Sequence, residues 1–292
     1  MTAADEVTTD LESPTHWRLR LPGYEHPPVV ETVMAARIQP LRAFSSVELL
    51  EFWNRSLRAV YPVAEEQPLY AAPIEEFGDG PPASSIRVNL TSAPDPRRFW
   101  LRGETGEDLV QVQHDWIAFN WRKPSDDAKY RDYAYGRGRF VELYSALQSF
   151  ADTEGLGPIV PVQAEVSYIN HVHALRAGAS PTLNDVLSEV TAPRPGGMLP
   201  KSEGQTYTAR YVAHDKGGKP YARLHVQANP IFTDESPESL LSLRLTFRGK
   251  PQEPDLEGVL ATLDDGHDWI VKGFDEITTD QYHEQWQKKE PS

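Results

Sequence analysis

One stretch constrains this chain more than any other. Leu109–Arg122, LVQVQHDWIAFNWR, is its longest strand-like run, and it mixes amides and charges with large apolar residues. A strand sends successive side chains to opposite faces. One face of the run would then carry Leu109, Gln111, Gln113, Asp115, Ile117, Phe119 and Trp121; the other would carry Val110, Val112, His114, Trp116, Ala118, Asn120 and Arg122. Neither face is apolar throughout, so this is not a strand with one core side and one solvent side. An amide left unmet in a core costs about 1–3 kcal/mol. Such groups therefore serve an internal hydrogen-bond network or a ligand, and the run itself leaves both open. On this reading Gln111 and Gln113 form a network beneath the helices of the first half. Asn120 and Arg122, on the other face, line a groove where the two halves meet.

Around the run the chain reads as follows. Residues 1–26 read as an acidic, flexible N-terminal segment, with 1–15 expected to be disordered. Val29–Ile38 reads as a strand. Ser45-Ser46-Val47-Glu48 is a capping-box pattern, and the helix after it places Val47, Leu50, Trp53, Leu57 and Val60 on one stripe. Residues 64–84 read as a Pro/Gly/acid loop, followed by short strands at Ile86–Thr91 and Arg97–Arg102. A helix is expected from about Tyr130 to Ala151. The order then recurs: a strand at Val162–Ala174, a short helix at Thr182–Val190, strands at Tyr207–His214, Tyr221–Phe232 and Leu240–Arg248, and a long helix after Pro254. Thr278 and Gln281 suggest a cap for one more short helix.

Strands joined by short turns are antiparallel, and helices then cover a sheet face. The expected fold is α+β: duplicated β-α-β-β-α units forming a curved antiparallel sheet with helices on one face. The first half spans 27–157 and the second 158–292, as one compact domain. Pro27-Pro28-Val29-Val30-Glu31, the central Leu-x-Gln-x-Gln-x-Asp strand ending in Asn120-Trp121-Arg122, and Tyr168-Ile169-Asn170 together resemble a sporadically distributed bacterial family of uncharacterised proteins across nearly the whole chain. That resemblance implies the architecture and leaves the function open. By element order alone the layout also resembles two-repeat effector-binding domains of the GyrI type and, more loosely, helix-grip ligand binders; order alone does not carry function.

Composition narrows the function classes. Lys and Arg total 29 against 43 Asp and Glu, a net charge of −14, which disfavours general nucleic-acid binding. There is no cysteine, so disulfides, thiolate metal sites and cysteine nucleophiles are excluded. No apolar run approaches the roughly 20 residues of a membrane helix, and MTAADEVTTD has no signal-peptide core; a cytoplasmic protein is the expectation. No phosphate-binding loop, nucleophile elbow or zinc-protease motif occurs. Gly136-Arg137-Gly138-Arg139 lacks the third glycine of a dinucleotide fingerprint and lies in a helical pattern.

Candidate binding residues come from the second half. Arg210, Arg223, His225 and Arg244 fall on the polar faces of their strands. Side by side they would make a cationic patch able to hold a carboxylate or phosphate, or a solvated face with cross-strand acid partners. With Asn120 and Arg122 they are the candidate ligand contacts. His171-Val172-His173 has metal-ligand spacing without a nameable third ligand, so no metal or cofactor is assigned. Neighbours in a strand face apart, so His114 and Asp115 cannot be a dyad there. His267 and Asp264, three apart, could pair on a helix. The favoured function is a non-catalytic ligand-binding or protein-interaction module, with a protein partner or small anionic ligand. The alternatives are an enzyme of the helix-grip or cyclase kind using a carboxylate such as Asp115 with a histidine, and a structural subunit, such as a homodimer joined at a sheet edge.

Overall fold

Alternating apolar residues dictate the sheet. Leu241, Leu243, Leu245 and Phe247 are buried on one side of their strand, as period two requires. The computed structural model describes residues 21–41, 43–71, 73–77, 97–125, 128–191, 198, 204–233 and 236–289. The segment expected to be disordered, 1–15, and the strand expected at Ile86–Thr91 lie outside these. The elements in chain order are β1 (Gly23–Tyr24), β2 (Val29–Ile38), α1 (Ser46–Phe52) with a π-helical turn at Trp53–Leu57, β3 (Val63–Pro68), β4 (Arg97–Arg102), β5 (Asp108–Gln113), β6 (Trp116–Arg122) and α2 (Tyr133–Glu154). Then come β7 (Pro161–Val172), α3 (Leu183–Val186), β8 (Tyr207–His214), β9 (Pro220–Thr233), β10 (Ser236–Gly249), α4 (Leu256–Ile277), α5 (Asp280–Gln285) and β11 (Lys288–Lys289).

Among the described residues, nine strands form one sheet in the order β3-β4-β5-β6-β2-β7-β10-β9-β8, every pair antiparallel. β1 and β11 pair separately, which corrects the reading of 1–26 as flexible: Gly23 and Tyr24 of that segment are held in a strand. In each half the first strand pairs with the last: β2 with β6, β7 with β10. β2 and β7 join the halves at the centre. α2 lies on β2 and β6, and α4 on β7, β9 and β10. The fold is thus α+β with these helices on one face. Gly266 lets α4 come close, because a Cβ there would sit 2.5 Å from Val166 Cγ1 and 2.6 Å from Phe247 Cδ1. No described helix is long and apolar enough to cross a membrane.

Three more expectations need correction. The run Leu109–Arg122 is a hairpin, not one strand: Gln113 pairs with Trp116 across a His114-Asp115 turn. The turn's carbonyls are taken by Ile38 N–H onto Asp115 O (3.0 Å) and Leu41 N–H onto His114 O (3.0 Å). A two-residue turn makes odd positions of β5 face even positions of β6, so Gln111, Gln113, Asn120 and Arg122 share one face, the one away from α2 and α4. Second, β3 runs from Val63 into the span read as a loop, taking up its first residues to Pro68. Third, α1 is turned from the expected stripe. Leu49 and Phe52 are buried, whereas Val47 is 70 % exposed and Leu50 and Val60 are exposed too. The i→i+5 bond from Arg58 N–H to Trp53 O (2.8 Å) adds a residue to that turn and brings Leu57 to the buried side with Phe52.

Candidate functional site

The sheet face away from α2 and α4 is polar, and its groups are paired in order across the strands. Arg98 Nη1 (2.8 Å) and Trp100 Nε1 (3.2 Å) donate to Gln111 Oε1. Gln111 Nε2 donates to Asn120 Oδ1 (2.9 Å), and Asn120 Nδ2 donates to Glu31 Oε1 (2.6 Å). Arg122 Nε also donates to Glu31 Oε1 (3.2 Å) and lies over the Trp100 ring. Both amide ends of Asn120 are therefore engaged within the sheet. Burial lowers the affinity of the Arg98 guanidinium for its proton.

Residues 69–71 and 73–77 lie across this same face as a strap. Gln113 Oε1 accepts from Tyr70 N–H (3.0 Å) while its Nε2 donates to Tyr70 O (2.9 Å) and to Asp115 Oδ1 (2.7 Å). Gln163 repeats the arrangement, accepting from Glu75 N–H (2.8 Å) and donating to Pro73 O (2.8 Å). Glu75, its side chain 7 % exposed, then takes Arg223 on Oε2 and His225 Nε2 on Oε1 at 2.5 Å, with Arg248 at 3.7 Å. Arg248 also pairs with Glu165. Of the sequence-derived candidates, Arg210, Arg223, His225 and Arg244 do share this face of adjacent strands: Arg210 is opposite His225, and Arg244 opposite Gln227. Arg223 and His225 are occupied by Glu75, Arg210 and Arg244 are exposed, and Asn120 and Arg122 belong to the network nearer β2. His114 and Asp115 are turn residues 3.9 Å apart, and Asp115 is held by Arg37 (3.2 Å). Among the described residues no group of three or more potential ligands is placed to hold a metal.

Two predictions arise here. Gln113→Ala removes both partners of the Tyr70 peptide at once. It should weaken the strap's seated position by about 1–3 kcal/mol, read as roughly tenfold or more faster hydrogen exchange at the Tyr70 amide; Arg122→Ala should leave that rate unchanged. The second concerns acid. Burial alone would raise the Glu75 carboxyl, but the hydrogen bond and charge of His225, with Arg223 and Arg248, outweigh it and hold it below its ordinary value of 4.5. A carboxylate lowered in the folded state contributes stability that is complete above the unfolded value and lost as pH falls through the folded one. Urea midpoints should therefore drop on acidification below 4.5, and the drop should be shallower in Glu75→Gln.

On the opposite face a cavity of about 450 Å³ opens between α2, α4, β7 and residues 21–29. Tyr168 and Asn170 form its floor, Tyr130 and Tyr133 one wall, and His267, Ile270, Val271 and Phe274 the other, under Pro22, Tyr24, Pro27 and Pro28. Its polar groups are ordered. Tyr130 OH donates to Tyr168 OH (3.4 Å), which meets His267 Nδ1 at 2.9 Å. The His267 ring stacks on Tyr133, centroids 4.1 Å apart. Tyr133 OH donates to Asp264 Oδ1 (2.8 Å), and Arg137 clasps both oxygens of Asp264 at 2.8 and 3.2 Å. Burial pushes the Tyr130 phenol up to about 12 and the Tyr168 phenol well above its usual value, so both remain neutral near pH 7. His267 and Asp264 thus face a cavity and not open helix surface. Sequence reasoning missed Tyr24, Tyr130 and Tyr133 as site residues; the signal was the tyrosine density of Tyr130–Tyr135 beside a proline pair upstream.

The three motifs Pro27–Glu31, Asn120–Arg122 and Tyr168–Asn170 meet at this end of the central strands. Val29 pairs with Asn170, and Glu31 with both Ile169 and Arg122. The register shift between Val29 and Glu31 moves the chain from one face to the other. Pro28 and Val29 therefore line the cavity while Glu31 joins the polar network behind it. Compared with protein-family models, with curated proteins and with solved structures, the chain matches none of them.

Proposed function

We propose that the chain is a ligand-binding module whose cavity between α2 and α4 receives a small, largely apolar molecule carrying a protonated amine. The cavity carries the reading. Its volume is in the range of small-molecule sites, its walls are phenol, proline and aliphatic surface, and Asp132 and Asp268 border it beside Asp264, whose charge Arg137 already meets from outside the lining. Tyrosine faces and carboxylates favour a cation. The meeting of three motifs at this end of the sheet supports it, and the proposed kinship with the uncharacterised bacterial family rests on those same motifs. The matched strand pairing within each half supports a duplicated β-α-β-β-α unit, the halves spanning 27–157 and 158–292.

Isothermal titration with benzylamine and the neutral benzyl alcohol tests the reading. Benzylamine should bind at least tenfold more tightly. Val271→Trp, which fills the cavity from α4, should abolish binding without lowering the melting temperature. Equal affinity for the two compounds, or full binding by Val271→Trp, would overturn it.

A further inference from the structure

The strap on the other face points to a second binding activity, independent of the cavity. We propose that the arginine-rich face beneath residues 69–71 and 73–77 is a docking site for an extended acidic peptide segment of a partner protein, and that these residues of the chain itself occupy it in cis.

The contacts are those of peptide recognition. Gln113 and Gln163 each offer one donor and one acceptor to the main chain, at Tyr70 and at Pro73 and Glu75. They read an extended backbone as a neighbouring strand would. Side-chain selectivity comes from three places. Tyr70 packs edge-on to Trp116, centroids 5.3 Å apart. Glu75 enters the Arg223, His225 and Arg248 cluster, where guanidinium groups favour a carboxylate. Phe77 lies under the Arg223 guanidinium at 4.8 Å. The specificity is an aromatic residue five positions before an acid.

Two further observations mark the strap as a replaceable occupant. Its aliphatic side chains point away from the face, Leu69 being 38 % and Ile74 56 % exposed. Lifting it uncovers polar groups that water can meet and, under Tyr70, the small apolar cluster of Ala35, Trp116 and Ala118, while the main core under α2 and α4 stays covered, so it can open without the sheet unfolding. The face is also overcharged for the strap alone. Arg210 and Arg244 stand exposed beside the cluster, and with Glu75 gone Arg223 loses the carboxylate it pairs with while Arg248 keeps Glu165. In a chain of net charge −14 this local positive surface selects an acidic partner.

The test uses a fluorescein-labelled peptide of residues 68–77, PLYAAPIEEF, and the same peptide with glutamine at the position of Glu75. Fluorescence anisotropy compares the wild-type chain with Glu75→Gln, in which the strap is loosened. The Glu75→Gln chain should bind the unaltered peptide at least tenfold more tightly than wild type does, and the glutamine peptide should bind neither. Binding by Glu75→Gln no tighter than wild type, or equal binding of both peptides, would overturn the proposal. Hydrogen exchange on the wild-type chain decides the matter even where the variant folds poorly. The amides of Tyr70 and Glu75 should exchange at least a hundredfold faster than those of Ala164 and Val166. Exchange of all four at one common rate, set by global unfolding, would show the strap to be a fixed part of the fold.

Discussion

Trp121→Ala should lower the free energy of unfolding by about 3–5 kcal/mol, the usual cost of removing a large aromatic from a core. Trp121 is fully buried on the helix-covered side of β6, pairs with Thr32 of β2 and Asp108 of β5, and meets Tyr130 edge-to-face at 5.4 Å. It is therefore held by both neighbouring strands and by the wall of the cavity. Little nearby can collapse into the space, because β2 and β5 are fixed by their ladders. Urea unfolding followed by tryptophan fluorescence and far-ultraviolet dichroism measures the loss. A cost under about 1 kcal/mol would mean that the sheet centre is not packed as described.

The second large effect discriminates between two registers of α1. Phe52→Ala should cost about 3–5 kcal/mol, since its ring is fully buried and sits 5.3 Å from Phe150 of α2 and 6.3 Å from Phe44. Leu50→Ala should change stability by no more than about 0.5 kcal/mol, as surface changes do, because Leu50 is exposed. A regular helix built on the spacing Val47, Leu50, Trp53, Leu57 requires the reverse order. The comparison tests which face of α1 is turned inward, the face that the π-helical turn then continues to the buried Leu57.

Much of the fold was legible, and the failures have particular causes. Strands with one apolar side announced themselves: β2, β4 and β8 fall on the expected residues, and Leu241, Leu243, Leu245 and Phe247 fixed the inward side of β10. The capping box at Ser45 and Glu48 is present because it depends on four consecutive residues alone. The central hairpin was hidden because His114-Asp115 lacks the glycine that normally marks a two-residue hairpin turn. Its carbonyls are instead met by Ile38 and Leu41, whose positions depend on tertiary structure. The polar residues of the run were readable as a network, but not on which face, since one missed turn reverses every parity after it.

The candidate site was less legible. The shared face of Arg210, Arg223, His225 and Arg244 followed from alternation, whereas their carboxylate partner did not: Glu75 lies in a stretch whose prolines and acids read only as a loop. The cavity is assembled from Tyr24, Tyr130, Tyr168 and His267, residues that meet through β2–β7 pairing and the crossing of two helices. Spacing along the chain carries no trace of such contacts.

The most direct test of the account is a two-dimensional amide spectrum of the isotopically labelled chain recorded during titration with benzylamine. The expected result is saturable shifts at Tyr130, Ala134, Asn170 and Val271, with the strap amides at Tyr70 and Glu75 unmoved. Shifts confined to the strap face, or none at millimolar benzylamine, would contradict a ligand site between α2 and α4.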